Sequence, residues 1–155
     1  MIQRIQTLYL LVIVILSGIT LFSPFAALTN VADGLQYVVN LKGVSLVAST
    51  GNQLIQNVWA LTALMSIIPL VALTTVFLYK KRILQIRLSI FNTVLMAGYY
   101  GLLFIYLWQS GEKLHAEWSL EIVSAFPLIN IVLNVLAIRS IGKDEALVKS
   151  LNRLR

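Results

Sequence analysis

VWALTALMSIIPLVALTTVFLYKKRILQIRLSIFNTVLMAGYYGLLFIYLW, residues 58–108, places two long uncharged runs on either side of one basic hairpin. The first run covers residues 58–79 and the second residues 88–108. A bilayer core about 30 Å thick takes roughly 20 apolar residues of helix. Each run therefore crosses a membrane once, and KKRILQIR, residues 80–87, turns the chain at its surface. The same signal recurs outward in both directions. Residues 5–32 carry no charge; their apolar centre is LYLLVIVILSGITLF, residues 8–22, which Pro24 closes. Residues 118–138 carry only Glu121. The predicted spans are about 7–24, 58–79, 86–108 and 118–139, followed by a tail at 140–155. Tyr9, Phe22, Trp59, Tyr79, Tyr106, Trp108 and Trp118 stand near their ends, where amphipathic rings favour the headgroup level.

Composition agrees with this count. The chain has 155 residues, 59% hydrophobic and 12% charged, with mean hydropathy +0.86. A soluble domain carries roughly 25% charged residues. Four spans use most of the length, so one membrane domain is expected. There is no cysteine, which excludes disulfides, thiolate metal sites and redox dithiols.

The twelve basic residues set the orientation. With the N-terminus inside, Arg4, Lys80, Lys81, Arg82, Arg87, Arg139, Lys143, Lys149, Arg153 and Arg155 lie inside, leaving only Lys42 and Lys113 outside. The positive-inside rule favours that arrangement, so both termini are expected in the cytoplasm. Topology then accounts for the basicity, and no nucleic-acid partner is expected. The first span follows a short basic n-region, as a secretory signal does, but no A-x-A site stands after it. It reads as a retained helix.

The connections are less regular. In LQYVVNLKGVSLV, residues 35–47, strand formers alternate in part, and Lys42-Gly43 suits a turn. A short β-hairpin is expected there, with an irregular or partly helical loop as the alternative. Residues 109–117 read as a short acidic outer loop. In the tail, Gly142 interrupts, and an amphipathic helix is expected from Lys143. Leu147, Leu151 and Leu154 form its apolar stripe, docked on the membrane surface or on the basic hairpin. Asp144 and Glu145 read as exposed acids facing Arg4, Lys80, Lys81 and Arg82, and exposed pairs contribute only about 0–1 kcal/mol.

No catalytic, cofactor or metal motif is found, and an enzyme is not expected. No ionisable residue sits mid-span, where one would mark a proton relay or ion path. His115 with Glu112, Glu117 and Glu121 has the ligand types of a metal site, but a solvated loop is the simpler reading. The spans do carry neutral polar residues. Asn130 and Asn134 share one face of the fourth span below Pro127, Asn92 and Gln85 belong to the third, and Ala97 and Gly101 form a small-xxx-small pair. Such residues join helices; a polar pocket, or a helix broken at Pro69 or Pro127, is the alternative.

MIQRIQTLYL at the start, KKRILQIRL in the hairpin and KDEALVKSLNRLR at the end together resemble a family of small bacterial membrane proteins from Bacteroidota, domain-of-unknown-function family 4293. The resemblance runs the whole length in order and spacing. It implies four transmembrane helices in an inner membrane and implies no activity. All three motifs fall on the predicted cytoplasmic side, which implies that any shared task belongs to that face.

The expected fold is an all-α, antiparallel four-helix transmembrane bundle, with the optional outer hairpin and the amphipathic tail. Its layout is similar to that of claudin-like proteins, without their cysteines or Trp motif. The expected function is a non-enzymatic subunit or scaffold that engages a protein partner through a basic cytoplasmic face, within an envelope of membrane lipids. Arg4, Lys80, Lys81, Arg82, Arg87, Asp144, Glu145, Arg153 and Arg155 are the candidate partner or headgroup contacts. Asn92, Asn130 and Asn134 are the candidate interhelical contacts. The competing reading is a small-solute or lipid-binding transporter component.

Overall fold

The computed structural model describes residues 3–31, 33–47, 53–79 and 81–153. In chain order it has α1 (Gln3–Phe22), β1 (Ala26–Asn30), β2 (Leu35–Asn40), β3 (Gly43–Leu46), β4 (Gln53–Gln56), α2 (Trp59–Phe77), α3 (Arg82–Leu114), β5 (Glu117–Leu120), a 3₁₀ turn (Ile122–Ala125) and α4 (Phe126–Arg153). All four helices are long and apolar enough to cross a membrane.

Each helix turns a seam inward with spacing i, i+4, i+7. Gln6, Leu10, Ile13, Ser17 and Thr20 are buried on α1. Leu61, Met65, Ile68, Ala72 and Thr75 are buried on α2. Gln85, Ser89, Asn92, Met96, Tyr99 and Leu103 are buried on α3. Asn130, Asn134, Ala137, Ile141 and Asp144 are buried on α4. This period of about 3.5 keeps one face against its neighbours along the length of a helix. α1 and α3 each pack on both α2 and α4, closing a ring. The outward faces carry Leu8, Leu11, Ile15, Leu70, Leu73, Ile90, Val94, Ile105, Val132 and Leu136. The exterior is thus oily while much of the interior is polar. Such a surface would aggregate in water and suits lipid.

The all-α expectation is overturned by a five-stranded antiparallel sheet of order β4-β3-β2-β1-β5. The expected hairpin exists as β2–β3, but its two-residue turn is Leu41-Lys42, because Asn40 pairs with Gly43. It is the middle of a larger sheet. β1 joins it through Leu28↔Tyr37, and β5 joins the far side of β1 through Leu28↔Trp118. AALTN, the β1 sequence, is poor in strand formers; its place is fixed by cross-strand pairing and burial, which dominate β-propensity. Phe25, Ala26, Leu28, Tyr37, Val39 and Val44 face the helix ends and share one hydrophobic cluster with Leu61, Leu103 and Leu107. Phe25 meets Tyr99 edge-on, with ring centroids 6.5 Å apart. The Thr62 hydroxyl donates to the Leu41 carbonyl at 2.6 Å, which fastens the hairpin to α2.

Three boundaries move as a result. α3 continues to Leu114, through most of the segment read as an outer loop. At 33 residues and 1.5 Å per residue it is about 50 Å long, so it stands well clear of a bilayer core. His115 ends it in the left-handed conformation, φ 46°, and the chain doubles back as β5. The residues expected to begin the fourth span are therefore strand and 3₁₀ turn, and α4 starts at Phe126. The Tyr100 hydroxyl secures that junction: it donates to the Ser124 carbonyl at 2.6 Å and accepts from the Leu128 amide at 2.9 Å. Pro127 occupies the first turn of α4, where its missing N–H costs nothing, and α2 runs through Pro69 unbroken. α4 also passes Gly142 without interruption, so the tail is the end of the fourth helix. The side chains of Leu147 and Leu151, and all of Leu154, lie outside the described residues.

Gly43 is a specific requirement of the sheet. Its φ is 135°, and an added Cβ would collide with the backbone carbonyl of Gln56 in β4. Gly43→Ala should lower stability by at least about 1–3 kcal/mol, the usual cost of a strained backbone conformation. Thermal unfolding in detergent reads this out; an unchanged midpoint would contradict the β3–β4 packing.

Candidate functional site

The polar chemistry of the chain falls at two levels. The first is the end of the helices opposite the sheet. There the α4 seam brings in Asp144, which is only 7% exposed. Gln6 of α1 donates from Nε2 to Asp144 Oδ2 at 2.7 Å. Arg82, the first residue of α3, donates from Nη1 to the Asp144 backbone carbonyl at 3.2 Å. Gln85, one turn further on, donates from Nε2 to the Thr75 carbonyl of α2 at 3.2 Å. All four helices are thereby tied at one end. A buried carboxylate is costly unless hydrogen-bonded, and the Gln6 amide supplies that bond.

This corrects the reading of Asp144 as an exposed acid. With no break at Gly142, position 144 falls on the same inward seam as Asn130, Asn134, Ala137 and Ile141. Glu145, the next residue, points elsewhere. With Lys81, Arg87, Ile83 and Leu84 it lines a surface depression of about 430 Å³. Lys81 and Arg87 are exposed there, as are Arg139 and Lys143 of α4. Lys80 and Arg155 lie outside the described residues, as do the side chains of Arg4 and Arg153. On the other side of Arg82 opens a crevice of about 480 Å³, lined by Gln6, Thr7, Leu8, Leu11, Tyr79, Arg82 and Gln85.

The second level is inside the ring. Asn130 donates to the Ser17 hydroxyl of α1 at 3.0 Å. Asn134 donates to the Ser89 carbonyl at 2.8 Å and to the Thr93 hydroxyl at 3.0 Å, both on α3. The two asparagines thus share a face yet bind different helices. Asn92 is buried with neither amide atom bonded, and the Tyr99 hydroxyl and the Asn130 and Asn134 amide oxygens are also without partners. Ser17, Thr20, Tyr99 and Asn130 surround a void of about 10 Å³, at the lower limit for one water molecule. Asp144 is the one charged side chain buried among the described residues. No group of three potential metal ligands occurs among them, and His115 stands exposed at the end of α3.

Sequence reasoning singled out Asp144, Arg82 and the three asparagines but missed Gln6, Ser17, Ser89 and Tyr99. The signal was present as spacing: Gln6 and Ser17 lie eleven residues apart, three turns of one seam.

These features define a multi-pass membrane protein with a polar interior, an apolar lateral surface and a folded β layer at one end. The family whose description is Domain of unknown function (DUF4293) matches residues 2–154, and the chain belongs to that family. No curated protein matches it.

The Gln6–Asp144 bond gives a direct test. Gln6→Leu strands the buried carboxylate and should destabilise by about 1–3 kcal/mol. Adding Asp144→Leu removes the orphan and should restore part of the loss. Asn134→Ala should be mild, near the 0.6 kcal/mol average for polar contacts between membrane helices. Unfolding midpoints in detergent measure all three; a harmless Gln6→Leu would exclude the bond.

Proposed function

We propose that this protein is a non-enzymatic subunit or scaffold of a bacterial inner membrane that engages an acidic protein partner through its sheet-distal, cytoplasmic end. The observation that carries the reading is the exposed basic surface of Lys81, Arg87, Arg139 and Lys143 on helix ends held in place by Gln6, Asp144 and Arg82. A surface fixed by its own buried bonds presents charge at little ordering cost, which favours binding. The bias of basic residues toward this end supports a cytoplasmic orientation for both termini.

Purification of the full chain in native nanodiscs, followed by mass spectrometry, tests this. A stoichiometric protein should be retained, and it should be lost from the Lys81→Glu/Arg87→Glu variant while the unfolding midpoint stays unchanged. Absence of any retained protein, or equal retention by the variant, would refute the proposal.

A further inference from the structure

We propose that the crevice beside Arg82 binds one anionic phospholipid, its phosphate on the guanidinium and an acyl chain along Leu8 and Leu11. The walls have a polar floor and an apolar lip. Gln6 and Gln85 are buried in the floor, with their amide nitrogens pinned on Asp144 and Thr75. Arg82 is half-buried between them. Of its five N–H groups, one is held by a neutral carbonyl. That bond fixes the side chain while leaving donors in the fork geometry that suits phosphate. Leu8 and Leu11 are 59% and 47% exposed and belong to no inward seam, so they form the lip on the lipid-facing side of α1.

The depth of the crevice selects the occupant. Arg82 opens α3 and Tyr79 follows the end of α2, which puts the polar floor at headgroup level. Leu8 and Leu11 lie further along α1 toward the bilayer core. An occupant must therefore be anionic at one end and apolar at the other, and must enter sideways from the membrane. A phospholipid meets those demands; free phosphate or glycerol phosphate leaves the apolar lip in contact with nothing. A crevice of about 480 Å³ is within the usual range for small-ligand sites, about 300–1,000 Å³. The site does not depend on which side of the membrane this end faces, and it is separate from the Lys81 and Arg87 depression.

Native mass spectrometry of the full chain in nanodiscs of mixed phosphatidylglycerol and phosphatidylcholine decides the matter. One phosphatidylglycerol should be retained preferentially, by roughly fivefold or more, the ratio corresponding to about 1 kcal/mol per basic residue at an anionic surface. Arg82→Gln should abolish the preference. Leu8→Trp, which fills the crevice and keeps Arg82, should reduce the one-lipid adduct even if Arg82→Gln proves unstable. Arg87→Gln should leave it intact. Glycerol phosphate at millimolar concentration should not displace the lipid. Equal retention of the two lipids, an equal loss with Arg87→Gln, displacement by glycerol phosphate, or a second copy or foreign protein seated over Leu8 and Leu11 would each overturn the proposal.

Discussion

Inside a bilayer no water is at hand to satisfy a backbone or side-chain polar group, and this constraint organises the whole molecule. Backbone groups are satisfied within each helix. Serine and threonine hydroxyls can turn to a carbonyl one turn back in their own helix, as Ser66, Thr74 and Thr75 do, whereas the longer amides and the carboxylate turn to neighbouring helices and lie on the inward seams. Apolar residues occupy both the seams and the lateral faces, so hydrophobicity alone does not specify how the helices rotate. The placement of Gln6, Gln85, Asn130, Asn134 and Asp144 constrains it, because turning any of them toward acyl chains would break a hydrogen bond of an amide or a carboxylate.

Irregular structure obeys the same constraint by leaving the membrane. The five strands lie at one end of the helices, where water can serve the edge strands β4 and β5. The sheet combines the two connections at that end, since β5 precedes α4 and pairs with β1, which follows α1. It fastens all four helices at that end, the second through the Thr62–Leu41 bond, while Gln6, Arg82, Asp144 and Gln85 fasten all four at the other. Between the two ties, the hydrogen bonds of Asn130 and Asn134 are few and individually weak.

Four long apolar helices and the family were legible in the sequence, because the length of an uncharged run is dictated by bilayer thickness, but the ends of the third and fourth helices were not. The sheet was legible only at its β2–β3 hairpin, where Val38, Val39 and Val44 announce a local pairing. β1 and β5 gave no such signal. Their pairing joins residues about 90 positions apart, and strands of only five and four residues, each with a single strand-favouring residue, Thr29 and Trp118, carry little local signal. Gly142 misled for the converse reason. A glycine in a helix interior costs about 1 kcal/mol relative to alanine, and continuing α4 to bring Asp144 onto Gln6 outweighs it. The candidate site was half legible: its charged members stand out in an apolar chain, but Gln6 becomes recognisable only once its partner 138 residues away is known.

The association of the α1–α2 and α3–α4 connections in one sheet is the most distinctive part of this account, and a single disulfide tests it. Thr29 and Glu117 are cross-strand partners, both exposed, and such partners have Cβ atoms about 4.5–5.5 Å apart, close enough to bridge with small adjustment. The natural chain has no cysteine, so no other thiol competes. In isolated membranes, Thr29→Cys/Glu117→Cys should oxidise to an intramolecular disulfide, visible as a reducible shift in gel mobility. Failure to cross-link, with both cysteines still reactive to maleimide, would show that the α1–α2 and α3–α4 connections do not form a common sheet.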